Sequence, residues 1–193
     1  IPSGKNMKFK KLSLAFAFTL PLLVNANDLK EVNTQFKEAY HQYQAAIKTT
    51  DKKKQLEYAK LSYDLGKQVY GEQDINTARL GFNLASIYNN THKPEQARKV
   101  LAPLIEIYKT QLGKYHIELV DLYFAYAKSL PYEKNDMAER YYKKALTVID
   151  EQSEKDPLLK ALITLDAGIE LLAIGSRKSK MILDAQKYLI EQF

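Results

Sequence analysis

Apolar and small side chains recur at steps of three and four residues along nearly all of the chain after Asn27, which is the spacing of one face of an α-helix. The first run follows the capping pair Asn27 and Asp28. Its apolar positions are Leu29, Val32, Phe36, Ala39, Tyr40, Tyr43, Ala46 and Ile47. Because no segment alternates apolar and polar residues at a period of two, the pattern predicts helices throughout and no sheet.

Turn residues divide this pattern into eight predicted helices. Gly71 and Gly113 each end a helix, and Pro94 begins one at a position where its missing N–H costs nothing. Asp74 and Asn135 are the predicted caps of two further helices. The predicted ranges are about 28–47, 56–70, 75–88, 94–112, 116–130, 135–151, 157–174 and 178–192.

Two stretches of the chain match at a spacing of forty-two residues. Val69-Tyr70-Gly71-Glu72 is answered by Gln111-Leu112-Gly113-Lys114, and Leu84-Ala85 is answered by Tyr126-Ala127. A fixed period of this size is typical of stacked helical hairpins, none of which buries its apolar face alone. We therefore predict an all-α solenoid of antiparallel helical hairpins with about four helix pairs.

The repeat resembles the tetratricopeptide family. Asn83-Leu84-Ala85-x-x-Tyr88, with Ala97 twelve residues after Ala85, is similar to the signature of that family. The long period and the run Leu112-Gly113-Lys114-Tyr115-His116 resemble the repeats of kinesin light chains. Ala85 and Ala97 are expected where two helices cross closely, since larger side chains would force the helices apart.

The neighbouring units carry the small residues and the Tyr of the family pattern at the corresponding positions. They are Ala59, Tyr63 and Gly66 in the first unit, Ala127, Ala138, Tyr142 and Ala145 in the third, and Gly168 and Ala185 in the last. Ala138 comes one residue early, which predicts a shortened turn around Pro131. The last unit fits only with a lengthened loop.

The resemblance implies a binding groove on the concave side, lined by the first helix of each pair. The family's groove positions fall on Arg79, Phe82, Asn83, Ser86, Asn89, Asp121, Phe124 and Lys128. Amide and hydroxyl groups can bond a peptide backbone there, and the two Phe rings can hold a side chain. The alternative is that the Phe residues belong to the core and the Asn residues to a solvated turn.

Two further features bear on what this groove would bind. Asn83 falls where some relatives clamp a terminal carboxylate, but the matching positions of the next unit are Asp121 and Ala125 rather than cations. Because an acid repels a carboxylate, we expect no clamp of that kind. The chain also has fourteen Tyr and no Trp, which indicates either an aromatic binding surface or packing between helices.

The segment before Asn27 has the pattern of a secretory signal peptide. Met7 is the predicted initiator, three lysines lie within residues 8–11, and residues 12–24 are uncharged and mostly apolar. Thirteen residues are short for a membrane span, which needs roughly 20. We expect cleavage after Ala26, and an uncleaved amphipathic anchor is the alternative. No Cys follows that could carry a lipid.

The predicted domains follow from this reading. Residues 1–6 are upstream translation or a cloning remnant, residues 7–26 are the signal peptide, and residues 27–193 are the helical repeat domain. The absence of Cys is compatible with an oxidising compartment. We therefore predict a bacterial periplasmic or secreted protein, with membrane contact only through an uncleaved signal peptide.

Removal of the signal peptide changes the meaning of the charge. The whole chain carries 29 Lys and Arg against 23 Asp and Glu, a net charge of +6. Four of these lysines precede Ala26, so 25 cations remain against 23 acids, a net charge of +2. A nearly neutral domain has no strong attraction to phosphate backbones, and we expect no nucleic-acid partner.

Catalysis has little support in the sequence. The three His residues, His41, His92 and His116, are far apart and match no metal spacing. Glu133-Lys134-Asn135-Asp136 holds two acids, but we expect it to be a solvated turn. No Gly-rich phosphate loop or nucleophile elbow is present, and we expect neither a cofactor nor a metal. An envelope hydrolase is the remote alternative.

The preferred hypothesis is a non-catalytic scaffold that binds a protein or peptide on its concave face. The alternative is the N-terminal repeat region of a TonB-family energy transducer or another envelope assembly protein. Leu65-Gly66-Lys67-x-x-Tyr70-Gly71 followed by Ile75-Asn76-Thr77-Ala78 is similar to repeats in that family. Self-assembly through the open ends of the solenoid is a third hypothesis.

Overall fold

The computed structural model describes residues 26–152, 157–173 and 187. Over the first two ranges the chain forms seven α-helices and a short 3-10 helix at Tyr132–Lys134, with no strand. The α-helices are α1 (Ala26–Ala46), α2 (Lys52–Tyr70), α3 (Ile75–Asn90), α4 (Pro94–Leu112), α5 (Leu119–Lys128), α6 (Asn135–Asp150) and α7 (Pro157–Ala173).

The helices pack in the order in which they occur along the chain. Each helix contacts the next one, and α3 also contacts α5, the first helix of the following hairpin. Short connections between sequential neighbours produce hairpins that stack one upon another. The described chain is thus an all-α solenoid of helical hairpins, which confirms the predicted fold class.

Several predictions fall outside the described residues. They are the signal peptide up to residue 25, the upstream residues 1–6, the eighth helix over 178–192 and its Ala185. In the part of the chain that the structure does describe, no helix combines the length and the apolar character needed to cross a membrane.

Local side-chain chemistry explains where α2, α3 and α4 begin and end. The carboxylate of Asp74 accepts a hydrogen bond from the backbone N–H of Asn76 at 2.7 Å, as predicted for a cap. Asp51 likewise accepts a hydrogen bond from the backbone N–H of Lys54 at 3.1 Å. Helix α2 therefore begins at Lys52, four residues before the predicted start at about residue 56. Pro94 is the first residue of α4, as predicted.

The predictions for two other helices also differ from the structure at their ends. Helix α5 covers Leu119–Lys128 rather than 116–130, because residues 113–118 form turns instead of a helical start. His116 helps to fix those turns, since its Nδ1 accepts from the backbone N–H of Glu118 at 3.3 Å. Asn135 does not cap α6 but is its first residue, because the 3-10 helix runs directly into α6.

The forty-two-residue repeat is visible in the backbone geometry. Gly71 and Gly113 end α2 and α4 with φ of 95° and 100°, and each N–H donates to the carbonyl four residues earlier, at 3.0 and 3.1 Å. Both have ψ near 150° (155° and 152°), a region open essentially only to glycine. The matching stretches of sequence therefore adopt matching conformations.

A tie between successive hairpins also recurs. The side chain of Gln111, near the end of α4, donates from Nε2 to the carbonyl of Gln73 at 3.1 Å. One repeat later, Gln152 donates from Nε2 to the carbonyl of Tyr115 at 2.8 Å. The second donor comes one residue early, in agreement with the shortened turn predicted around Pro131.

Small residues occupy the helix crossings, as the sequence predicted. Ala85 and Ala97 are both 0% exposed and share a cluster with Leu101 and Ala125. The predicted small positions of the other units are also buried, namely Ala59, Gly66, Ala127, Ala138, Ala145 and Gly168. Gly81 was not predicted, although a Cβ there would lie 2.9 Å from the Tyr63 ring and 3.0 Å from Leu104.

The conformation of Gly71 generates a test. Replacement by Ala should lower the free energy of unfolding by about 1–3 kcal/mol, because a backbone with positive φ and ψ near 150° strains any residue that has a side chain. Asn tolerates left-handed helical backbone but not ψ near 150°, so Gly71→Asn should cost as much as Gly71→Ala. Urea unfolding measures both, with the exposed neighbour in Glu72→Ala as a control expected within about 0.5 kcal/mol. If Gly71→Asn were as stable as the wild-type protein, the backbone conformation assigned to Gly71 would be wrong.

Candidate functional site

Helices α3, α5 and α7, the first members of three successive pairs, line one groove. Its volume is about 320 Å³. The lining residues are Phe82, Ser86, Asn89, Asn90, Val120, Asp121, Phe124, Ala125, Lys128, Ile163 and Asp166. We call it the inner groove. Six of the eight predicted site residues lie on it, and the other two, Arg79 and Asn83, do not.

Aromatic rings provide the apolar part of the inner groove. Phe82 and Phe124 are half-buried, and both pack against the core while they line the groove. The ring of Phe124 meets that of Tyr142 edge to face, with centroids 4.8 Å apart. Both residues therefore line the groove and pack against the core at the same time.

An incompletely bonded amide lies beside these rings. Asn89 donates from Nδ2 to the carbonyl of Ala125 at 2.9 Å and so ties α3 to α5. Its Oδ1 is buried and accepts no hydrogen bond from any described residue. A buried polar atom without a partner is costly, so this oxygen lowers the stability of the fold locally. The Ser86 hydroxyl is already used, since it donates to the carbonyl of Phe82 at 3.0 Å.

The charged residues of the inner groove differ in their pairing. Lys128 on α5 forms an ion pair with Glu170 on α7, with Nζ and Oε1 2.7 Å apart. Asp121 and Asp166 take part in none of the ion pairs formed among the described residues. Two carboxylates therefore face the groove without an ion-pair partner among the residues that the structure describes.

The carboxyl of Asp121 is in an unfavourable place for its charge. Loss of hydration in the concave groove raises its pKa above the ordinary range, and the neighbouring carboxylate of Glu118 adds to the shift. Asp121 is nevertheless exposed enough to be reached from solvent. A reachable acid with a raised pKa in a groove is a typical feature of functional sites.

Arg79 and Asn83 line a second groove, between α1 and α3, with a volume of about 290 Å³. Its other lining residues are Phe36, Tyr40, Tyr70, Asn76 and Leu80. Arg79 donates to both carboxylate oxygens of Glu118, at 2.9 and 2.6 Å. These hydrogen bonds lower the pKa of Glu118 and occupy the guanidinium, so Arg79 contributes little free charge to either groove.

Most tyrosines of the described chain pack between helices. Tyr141 on α6 lies 4.3 Å from Tyr126 and 6.0 Å from Tyr123 on α5, measured between ring centroids. Burial raises the pKa of Tyr141 to about 12, and the proximity and hydrogen bond of Tyr126 add to the shift. The exceptions are Tyr70 and Tyr115, which are exposed. Tyr70 lines the second groove together with the half-buried Tyr40.

No cluster of three or more His, Cys, Asp or Glu side chains suited to a metal ion occurs in the described ranges. Glu133, Lys134 and Asp136 are exposed, as expected for a solvated turn. His116 lies beside Glu118, with Nδ1 and Oε1 3.9 Å apart, and serves the turn before α5.

Sequence reasoning missed the part of the groove that α7 supplies. Ile163 and Asp166 were not among the predicted site residues, because the last repeat unit fitted the pattern only loosely. The period itself could have found them. Forty-two residues separate Phe82 from Phe124 and Phe124 from Asp166, and the same step leads from Asp121 to Ile163.

Comparison with known proteins does not add to this geometry. The chain matches no model of a known protein family, and a search of curated proteins also returns no match.

The raised pKa of Asp121 predicts a pH-dependent cost in stability. Because the fold raises this pKa, the folded protein binds more protons than the unfolded chain in the acid range, and stability falls as the pH rises through that range. Asp121→Asn should therefore increase the free energy of unfolding at pH 7. The gain should disappear below the unfolded pKa of Asp, about 3.9. Urea unfolding at pH 7 and pH 3 measures both.

Asp136→Asn is the matched control for this prediction. Asp136 is exposed and, like Asp121, lies in the first turn of a helix, so both variants lose the same interaction with the helix dipole. Asp136→Asn should be slightly destabilising at pH 7. If Asp121→Asn is destabilising to the same degree, the carboxylate of Asp121 is not strained by its surroundings.

Proposed function

We propose that this chain is a non-catalytic scaffold that binds an extended segment of a protein or peptide in the inner groove. The observation that carries the proposal is that six of the eight predicted site residues, among them the half-buried rings of Phe82 and Phe124, line one groove with the exposed carboxylate of Asp121. A side chain of a bound peptide covers the rings, and the exposed polar side chains of the groove bond its backbone.

The dimensions of the site support a chain-like ligand. A volume of about 320 Å³ is near the lower end of the range for small-molecule sites, which is about 300–1,000 Å³. It accommodates one or two side chains of a ligand that continues beyond the groove. Helix α3 also lines the second groove, where Phe36, Tyr70 and Asn83 offer further aromatic and amide contacts.

The resemblance to tetratricopeptide repeats supports the same proposal, since arrays of that family bind peptides on the face formed by the first helices. The signal-like segment from Met7 to Ala26 supports a periplasmic or secreted location. A role as the repeat region of a TonB-family energy transducer stays a prediction, because it depends on sequence resemblance alone.

A filled groove tests the proposal. Ser86 is half-buried and its hydroxyl bonds only its own helix, so Ser86→Phe inserts a ring into the groove without removing a contact between helices. Peptides selected from a displayed random library on the wild-type protein should bind Ser86→Phe at least about tenfold more weakly, the loss expected when a central contact is blocked. Fluorescence anisotropy with the selected peptides measures the affinities.

Thr110→Phe is the matched control, because Thr110 is exposed on α4 and lines neither groove. It should leave the affinities unchanged. Circular dichroism melts should show that both variants remain folded. Peptides that bind wild type and Ser86→Phe equally well, or a library that yields no binders, would contradict the proposal.

A further inference from the structure

We propose that the segment bound in the inner groove presents a lysine or arginine flanked by apolar residues, and that Asp121 and Asp166 recognise its cationic group. This inference rests on the proposed function of the groove as a peptide-binding site. It adds the chemical class of the ligand, which neither the fold nor the resemblance specifies.

The local charge of the inner groove favours a cationic ligand. The inner groove is lined by two acids and one cation. That cation, Lys128, is neutralised by Glu170 at 2.7 Å, and the Arg79 guanidinium on α3 is held by Glu118 at 2.6 Å. Within the described residues, Asp121 and Asp166 are left as the charges of the groove without an ion pair, so this surface attracts a cation and repels a carboxylate.

The apolar surface beside these acids suits the stem of a lysine or arginine. The aliphatic stem of a lysine or arginine packs on apolar groups while its head reaches a carboxylate, and the head also interacts favourably with aromatic faces. Phe82 and Phe124 provide such a surface in the same groove as Asp121. An uncharged apolar side chain would cover the rings but leave both carboxylates without a partner.

The reduced hydration of Asp121 also favours a cationic ligand. Asp121 has lost part of its hydration, and its charge is further disfavoured by Glu118. A carboxylate in this state gains more from a cation than a fully hydrated one does, since the remaining water screens the pair less. The ligand would relieve the strain on this acid, and its own stem would displace further water.

The net charge of the protein allows a specific preference for basic peptides to be distinguished from non-specific attraction. The chain is cationic, with a net charge of +6 as a whole and +2 without the four lysines that precede Ala26. Non-specific attraction would therefore favour acidic peptides. A preference for basic peptides can come only from a local feature such as the two groove carboxylates.

Four pools of fluorescent peptides test the proposal. Each pool has blocked ends and one fixed central position, which is lysine, arginine, citrulline or glutamate, while the other positions are random mixtures of uncharged residues. Anisotropy titration of the wild-type protein should show the lysine and arginine pools binding about tenfold more tightly than the citrulline pool, the size of one charge-assisted hydrogen bond. The glutamate pool should bind most weakly.

Variants of the two acids locate the preference. Asp121→Asn with Asp166→Asn should bind all pools with affinities close to that of wild type for citrulline. Asp121→Lys with Asp166→Lys should prefer the glutamate pool. Glu72→Gln with Asp136→Asn removes two exposed acids outside the groove and should leave the preference for basic pools unchanged.

The outcomes separate this inference from the proposed function. Binding that Ser86→Phe abolishes, but that shows no preference among the four pools, would overturn the inference and leave the peptide-binding groove in place. No binding of any pool, or binding that Ser86→Phe does not weaken, would overturn both. A preference for basic pools that survives Asp121→Asn with Asp166→Asn would also overturn the inference.

Discussion

Close approach of helices at buried small side chains is the constraint on which the rest of the structure depends. Ala85, Ala97 and Ala125 belong to one cluster in which α3, α4 and α5 meet, and Gly81 leaves no space for a Cβ between α2 and α4. Because interiors are close-packed, side chains one size larger at these points would separate the helices. The contact between α3 and α5, and with it the inner groove, would then be lost.

Polar contacts complete the arrangement that these crossings allow. Asn89 joins α3 to α5, and Arg98 of α4 donates to the carbonyl of Ser129 beyond the end of α5 at 2.7 Å. Gln111 and Gln152 repeat one tie between neighbouring hairpins. Each of these bonds stabilises the fold modestly, by about 0.5–1.5 kcal/mol. Together they fix how one hairpin is set against the next.

The inner groove departs from the pattern of a stability-driven surface. It keeps a buried amide oxygen at Asn89 to which no described residue donates, and a carboxylate with a raised pKa at Asp121. Both features oppose folding, whereas nearby charges such as Lys128 are paired. Local costs of this kind are expected where a surface is shaped for a ligand rather than for the fold.

The sequence was sufficient for the features that follow from short-range rules. Helical periodicity predicted the helices, Gly71 and Gly113 predicted two ends, and Ala85 and Ala97 predicted a crossing. It was insufficient where distant residues decide the outcome.

Three features of this second kind illustrate the reason. Arg79 pairs with Glu118, which lies thirty-nine positions away, and no local sequence pattern predicts this pair. Asp166 reaches the groove because α7 packs on α6, a contact that helical periodicity alone does not predict although the forty-two-residue step marks the position. The late start of α5 follows from turns around His116 that compete with helix formation over the same residues.

One stability measurement tests the central claim most directly. Ala97 and Ala102 lie on the same helix, but Ala97 is 0% exposed at the crossing and Ala102 faces solvent. In urea unfolding, Ala97→Leu should lower the free energy of unfolding by about 1–3 kcal/mol, and Ala102→Leu should change it by no more than about 0.5 kcal/mol. Equal stability of the two variants would show that the crossing has room to spare and that close helix approach does not hold the fold together.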